Sequence, residues 1–161
     1  YAQERYCQIY YNLYGLETVA LRYFNVFGPN QDPTSQYSAV IPKFIKLMSE
    51  DKEPVIYGDG TQSRDFTYVD NVVYANLLAC NAEKAAGEII NIACGKSYTL
   101  LDLIKMINEI LGKNIEPRFA PERPGEVKHS LASIGKAKEV LGYEVKVDFK
   151  EGLTRTIDFF H

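Results

Sequence analysis

Apolar and polar positions along the chain follow two patterns, one typical of helices and one of buried strands. In the first fourteen residues, Tyr6, Ile9 and Leu13 fall on one helical face, and Gly15 is a good C-terminal stop. Near-continuous apolar, β-branched or aromatic segments predict strands at residues 17–24, 54–57 and 88–93, with a further extended piece at 65–69. Helices and strands alternate, which indicates an α/β or α+β fold.

Capping signals place the remaining helices. Their predicted starts are, in chain order, residue 38 with Pro42 in the first turn, Asp70, Thr99 with Asp102 as a capping box, and Ser133. The helix after Ser133 is predicted to end at Gly142, and a last helix covers residues 150–160. No repeat, low-complexity segment or internal domain boundary interrupts this order, so residues 1–161 are expected to form one unit.

Composition and charge exclude several classes of protein. The chain has 161 residues, of which 46% are hydrophobic, enough for one core. No apolar run approaches the roughly 20 residues of a membrane span, and the first residues lack the features of a signal peptide. A net charge of −3 without a basic stripe argues against nucleic-acid binding. Three scattered cysteines and two histidines favour reduced thiols over a metal site, and a cytoplasmic location.

Three motifs in series carry the candidate chemistry. RYFNVFGP at residues 22–29 lies where a buried strand runs into a loop, and ligands bind at such points in parallel sheets. GDGTQSRDFTYVD occupies residues 58–70, and RPGEVKHS occupies residues 123–130. In this order and spacing they resemble the C-terminal half of UDP-sugar 4-epimerases in the NAD-dependent epimerase/dehydratase family, the extended short-chain dehydrogenases/reductases. The resemblance runs from Tyr1 to about Phe160.

The resemblance implies the last parallel strands of a Rossmann-like fold together with a small α/β substrate-binding region. It also implies that the NAD-binding part and the catalytic Tyr-x-x-x-Lys motif lie upstream of Tyr1. Because the chain begins within a helix and without an initiator methionine, the natural polypeptide is expected to extend upstream. Tyr1 with Arg5 only imitates the motif, so no catalytic residue is assigned, and this chain alone is expected not to epimerise.

In the family, bound NAD takes a hydride from C4 of the sugar and returns it to the other face, so the cofactor carries the redox chemistry. The resemblance implies that this chain binds the UDP part of the substrate. Arg64 and Arg123 are implied to bind the diphosphate, which suits permanently charged, planar side chains. Glu126 is implied to accept hydrogen bonds from the ribose hydroxyls. The alternative for Arg64 and Arg123 is surface ion pairing with Asp65 or Glu126.

Asn25 and Tyr23 end the first predicted strand. The Asn25 amide offers donors and an acceptor to a phosphate or sugar oxygen, and the alternative is an Asx-turn that ends the strand. The resemblance places the backbone of Tyr23 near the nicotinamide, which makes Tyr23 the one cofactor-binding candidate.

Five apolar positions match segments that hold the uridine in the family. These are Val55, Ile56 and Tyr57, which correspond to the uracil-binding strand, and Ala39 and Val40, which correspond to backbone contacts. Stacking on an aromatic ring suits the uracil, but core packing is an open alternative for all five. Phe66 stands where the family often has a tyrosine near the diphosphate, so a hydrogen bond is expected to be lost there.

Ser130 is the candidate for sugar specificity. In the family a bulky tyrosine at this position closes the sugar pocket, whereas a small residue leaves room for an N-acetyl group. The resemblance therefore implies that UDP-GlcNAc and UDP-GalNAc are accepted as well as UDP-Glc and UDP-Gal. The alternative is that Ser130 is merely part of a surface strand.

Two other functions stay open on the sequence. One is a nucleotide-sugar 4,6-dehydratase or UDP-glucuronate decarboxylase of the same family, and the other is a nucleotide-sugar-binding module without catalysis. The expected partner is a UDP-sugar, with neither nucleic acid nor membrane. The resemblance also implies that the first helix packs in a homodimer, for which its aromatic side chains are suited, and the alternative is that this helix is frayed or exposed.

Overall fold

A computed structural model describes residues 1–32 and 40–160. In that part, the helices are α1 (Ala2–Tyr14), α2 (Val40–Ser49), α3 (Val69–Asn81), α4 (Leu100–Leu111), α5 (Gly135–Leu141) and α6 (Phe149–Phe160). The strands are β1 (Ala20–Tyr23), β2 (Val26–Phe27), β3 (Val55–Tyr57), β4 (Ser63–Arg64), β5 (Thr67–Tyr68), β6 (Ile89–Ile92), β7 (Tyr98–Thr99) and β8 (Arg118–Ala120). A short 3₁₀ helix covers Glu83–Ala85.

The strands pair mostly in parallel, over long sequence separations. β1 pairs with β6, β2 with β5 and β3 with β8, all in parallel, and β4 pairs antiparallel with β7. Helices separate the partners in sequence, as parallel pairing requires. The predicted α/β class is therefore confirmed, although the strands are shorter at their ends than the apolar patterns suggested.

Two hydrophobic clusters hold the elements together. The larger joins α2, α4 and α6 around buried side chains such as Ile45, Ile107 and Ile157. The smaller packs α3 and α5 against β6, with Ile90 and Tyr143 among its members. The described helices include none that is long and apolar enough to cross a bilayer.

Helix α1 leaves most of its surface uncovered within the described residues. None of its residues is buried, and Tyr6, Ile9, Tyr10 and Leu13 are all exposed. Its predicted end is confirmed, because Gly15 takes the left-handed conformation and its N–H bonds back to the last turn.

The capping box at the start of α4 is also confirmed. The Thr99 hydroxyl accepts a hydrogen bond from the Asp102 N–H at 3.0 Å, and the Asp102 carboxylate accepts from the Thr99 N–H at 3.0 Å. Two N–H groups that the helix leaves without partners are satisfied reciprocally.

Replacing Thr99 with alanine should lower the free energy of unfolding by about 1 kcal/mol, because the Asp102 N–H loses its acceptor. Chemical denaturation measures the change. The exposed Ser97, two residues earlier, provides the control: Ser97→Ala should alter stability by no more than about 0.5 kcal/mol. Equal effects of the two substitutions would contradict a capping role for Thr99.

Two predicted caps are wrong. Asp70 lies inside the first turn of α3, whose N-cap is Tyr68, and its carboxylate pairs instead with Arg155 at 3.2 Å. Ser133 lies one residue before the N-cap of α5, which is Ile134, and makes no cap hydrogen bond. In both cases the preceding chain enters the helix at a neighbouring residue, because the entry path is fixed by tertiary packing and not by the capping side chain.

Candidate nucleotide-binding site

A tight turn brings β3 and β4 to the candidate site. Gly58 and Gly60 both have positive φ, and a side chain at Gly60 would meet Leu101 at 2.8 Å, so glycine is required there. Asp59 closes the turn by accepting from the N–H and the hydroxyl of Thr61, at 2.9 and 2.6 Å. The GDGT sequence is therefore a structural turn that leads into Arg64.

Asp65 anchors the segment that carries Arg64. It is fully buried, and its carboxylate accepts from the backbone N–H groups of Cys94 and Gly95, both at 2.9 Å, and of Ala132 at 3.4 Å. Burial raises the pKa of this carboxyl, and the three N–H groups act in the opposite direction. Asp65 thus joins three loops next to the site, and none of its contacts is with Arg64.

Arg64 lies against Glu126. The closest atoms, Arg64 Nη2 and Glu126 Oε1, are 3.4 Å apart. Arg64 Nη1 donates to the carbonyl oxygens of Ser63 at 2.9 Å and Lys128 at 3.2 Å. Backbone oxygens therefore fix the guanidinium in place, while its long contact with Glu126 is the one that an incoming anion could replace. Of the two ion-pair alternatives, pairing with Glu126 is present and pairing with Asp65 is not.

Arg123 stacks on Tyr57. The guanidinium carbon lies 3.6 Å from the centre of the tyrosine ring, a close cation–π contact. A hydrogen bond from Arg123, reinforced by its charge, lowers the pKa of the Tyr57 hydroxyl. The stack places a permanent positive charge over a half-buried aromatic ring, a combination that can hold a planar base together with a phosphate.

A cavity of about 120 Å³ lies beside Tyr57 and Glu126. It is lined by Tyr57, Gly58, Asp59, Gln62, Glu122, Glu126 and Lys128. Small-molecule pockets usually measure roughly 300–1,000 Å³, so this cavity alone is too small for a whole nucleotide sugar. A larger cavity, of about 470 Å³, lies elsewhere, between β1 and the end of α3, with Tyr23 in its wall.

Asn25 and Ser130 lie beside the same segment. The Asn25 side-chain amide donates to the backbone carbonyl of Asp65 at 3.2 Å, and the backbone carbonyl of Asn25 accepts from the Thr67 N–H at 3.2 Å. Asn25 also has a positive φ of 37°, which asparagine tolerates better than most residues. The Ser130 N–H donates to the Ser63 carbonyl at 3.0 Å. Asn25 and Ser130 therefore hydrogen-bond to Asp65 and Ser63, the two residues that flank Arg64 in the chain.

The remaining candidates are less tightly grouped. Val55 precedes Tyr57 by two residues on β3, so both point to the same side of the strand. Val40 packs against the larger hydrophobic cluster, and Ile56 is fully buried in it. Ala39 lies outside the described residues. Tyr23 ends β1, is about half exposed, and donates its hydroxyl hydrogen to Asn76 Oδ1 at 3.0 Å.

The expectation for Phe66 needs a correction. Its ring is buried and stacks on Phe149 with the ring centres 5.1 Å apart, so it faces the core. Strand β4 ends at Arg64, and the two residues that follow it, Asp65 and Phe66, are both buried.

Sequence reasoning missed the roles of Asp65, Gln62 and His129. Gln62 is buried and donates to the Tyr57 carbonyl at 2.7 Å, which fixes β3 to the start of β4. His129 Nδ1 lies 3.0 Å from the Ser63 hydroxyl. No local signal marks the buried carboxylate of Asp65, because its partners Cys94, Gly95 and Ala132 lie at least 29 positions away.

Similarity to known proteins gives the family of this chain. The model of the NAD dependent epimerase/dehydratase family matches residues 1–93, more than half of the chain, and the chain belongs to that family. A putative UDP-glucose 4-epimerase of Methanocaldococcus jannaschii is 40% identical over 159 residues, which cover 99% of this chain and 50% of the relative.

Solved structures give the same fold. UDP-glucose 4-epimerase of Thermotoga maritima, solved with UDP-glucose, superposes with a TM-score of 0.93 at 43% identity and covers 99% of this chain. UDP-N-acetylglucosamine 4-epimerase of Methanobrevibacter ruminantium, in complex with UDP-N-acetylmuramic acid, gives 0.93 at 44% identity with the same coverage. This chain spans about half the length of each of them, 51%.

Proposed function

We propose that this chain is the UDP-sugar-binding part of an NAD-dependent UDP-sugar 4-epimerase. Two neighbouring contacts support the proposal most strongly: Arg64 lies beside Glu126 and Arg123 stacks on Tyr57, and both Glu126 and Tyr57 line one cavity. Two guanidinium groups suit a diphosphate, the aromatic ring suits uracil, and the carboxylate suits ribose hydroxyls. Relatives that cover the whole chain carry UDP-sugar epimerase names, which points the same way.

Binding would proceed by exchange at Arg64. A diphosphate oxygen replaces the long contact with Glu126, and the released carboxylate becomes free to accept from the ribose. The carbonyls of Ser63 and Lys128 keep the guanidinium in place during the exchange. Asn25 and Val55 are proposed as further contacts with the substrate. Val40 and Ala39 are proposed only as backbone contacts with the uridine.

NAD is the cofactor that the family uses, and it would take the hydride from the sugar and return it. Tyr23 fits a contact with that cofactor, because it ends a parallel strand at the edge where ligands bind and is half exposed. The residues of this chain would hold the nucleotide part of the substrate while the sugar turns.

Calorimetry tests the assignment. UDP and UDP-sugars should bind, and dTDP should bind more weakly, since the site is proposed to read uracil. A preference for dTDP would favour a dehydratase, and the absence of any binding would contradict both the epimerase and the stand-alone binding module. Joining the chain to the NAD-binding half of a related epimerase and assaying 4-epimerisation with NAD distinguishes the epimerase from a binding module without catalysis.

Ser130 is proposed to leave room for an N-acetyl group. Ser130→Tyr should weaken UDP-GlcNAc binding at least tenfold relative to UDP-glucose, because the larger ring fills the space beside the sugar. Ser130→Ala serves as the control and should keep the ratio of the two affinities within about twofold. A tyrosine variant that binds both sugars as the native chain does would contradict this role.

A further inference from the structure

The loop of residues 121–131, here called the binding loop, carries three of the proposed ligand-binding residues. These are Arg123, Glu126 and Ser130. Residues 121–129 are all exposed, so no core packing holds this part of the loop in place. Its position must therefore come from hydrogen bonds to neighbouring segments.

Ser63 makes two backbone hydrogen bonds with the loop, in addition to the contacts of Arg64 with Lys128 and Glu126. Its N–H donates to the Lys128 carbonyl at 2.9 Å, and its carbonyl accepts from the Ser130 N–H at 3.0 Å. The two segments form a parallel bridge between Ser63 and His129. Ser63 also pairs with Thr99 on its other side, within the β4–β7 sheet, so its backbone is held from both sides.

One side chain of the binding loop joins this junction. His129 Nδ1 lies 3.0 Å from Ser63 Oγ, and Ser63 is buried although His129 itself is exposed. The bond adds a side-chain link between the two backbone links. Arg64 follows Ser63 in the chain, and Ser130 follows His129. The link therefore joins the two residues that directly precede two proposed binding residues.

We propose that His129 is a positioning residue for UDP-sugar binding, which holds the binding loop against Ser63 so that Glu126 and Ser130 face Arg64. The inference rests on the proposed function and adds to it a residue that acts through others. Ser63 Oγ can either donate or accept, so the link persists with either tautomer of the imidazole.

Amide substitutions distinguish this role from a merely structural one. Asparagine places its amide at the branch position that Nδ1 occupies in histidine, whereas glutamine places it one bond further out. His129→Asn should therefore keep the link to Ser63, and His129→Gln and His129→Ala should lose it. Val127 is exposed in the same loop, and Val127→Ala is the matched control.

Two measurements on the purified chain test the proposal: UDP affinity by calorimetry, and exchange of the Ser130 amide hydrogen by NMR. His129→Ala and His129→Gln should weaken UDP binding roughly three- to tenfold and speed exchange by a similar factor, as expected for one lost hydrogen bond. His129→Asn and Val127→Ala should stay within about twofold of the native chain. Ser63→Ala should reproduce the effect of His129→Ala, and the double variant should add little to it.

The proposal is overturned if His129→Ala stays within twofold of the native chain in both measurements, or if His129→Asn is as impaired as His129→Ala. Failure of the proposed function gives a different result. The native chain would then not bind UDP at all, and the exchange of the Ser130 amide alone would decide whether His129 holds the loop.

Discussion

Replacing Arg64 with alanine should weaken UDP binding by roughly 10- to 100-fold, the cost of losing charge-assisted hydrogen bonds to a phosphate. The loss has a second cause. Glu126 is held 3.4 Å from Arg64, and without the guanidinium its carboxylate would face the diphosphate and repel it. Calorimetric titration with UDP measures the effect directly.

Two further variants sharpen the Arg64 experiment. Arg64→Lys keeps the charge but loses the planar pair of donors, so its affinity should fall between those of the native chain and the alanine variant. Arg155→Ala removes a guanidinium from α6, where it pairs with Asp70 and Glu151, and should leave UDP binding unchanged. An alanine variant at Arg64 that binds UDP within twofold of the native chain would contradict the site.

Replacing Asp65 with alanine should lower the free energy of unfolding by about 3 kcal/mol, since three backbone N–H groups lose a buried acceptor. The groups belong to Cys94, Gly95 and Ala132, so the loops that border the site would also lose their common anchor. Denaturant titration measures the loss. Asp148→Ala is the control: this exposed carboxylate accepts from one N–H, that of Glu151, and its loss should cost no more than about 1 kcal/mol.

The pH dependence of the same variant gives an independent check. Burial raises the pKa of Asp65, so folding favours its protonated form. The contribution of that shift is fully present below the ordinary aspartate pKa of 3.8 and is lost as the pH rises through the folded value. The stability difference between the native chain and Asp65→Ala should therefore be larger at about pH 3.5 than at about pH 7. The opposite trend would show that the hydrogen bonds outweigh burial.

Local patterns were sufficient where the cause of a structure is itself local. The capping box of Thr99 and Asp102 involves two residues three positions apart, and the Gly15 stop needs only its own conformational freedom. The predicted N-cap at Asp70 was wrong because the path of the preceding strand sets where α3 begins. Strand β5 is buried and ends at Tyr68, so Tyr68 is the N-cap and Asp70 lies in the first turn.

The site depends on contacts that no local pattern contains. Arg64 meets Glu126 across 62 positions, and Ser63 meets His129 across 66. The resemblance of three motifs to a family supplied the first pairing, because the family implies one ligand for both side chains. It did not supply the second, since spacing alone gives no reason for an exposed histidine to bind a buried serine.

The segment Arg64-Asp65-Phe66 contributes both to the site and to the core. Asp65 is fully buried among backbone N–H groups, Phe66 packs on Phe149, and Arg64 remains accessible to a ligand. This segment therefore contributes to the stability of the fold as well as to the proposed ligand binding. A substitution there is expected to affect stability and affinity to different degrees, which the Arg64 and Asp65 variants separate.

The central claim is that UDP binds between Tyr57, Arg64 and the binding loop. NMR titration of the labelled chain with UDP tests it most directly. The amide resonances of Tyr57, Arg64 and Glu126 should show saturable shifts, while those of α1 stay unchanged. Saturable shifts confined to α1 or to the cavity beside Tyr23, or the absence of any shift at millimolar UDP, would contradict it.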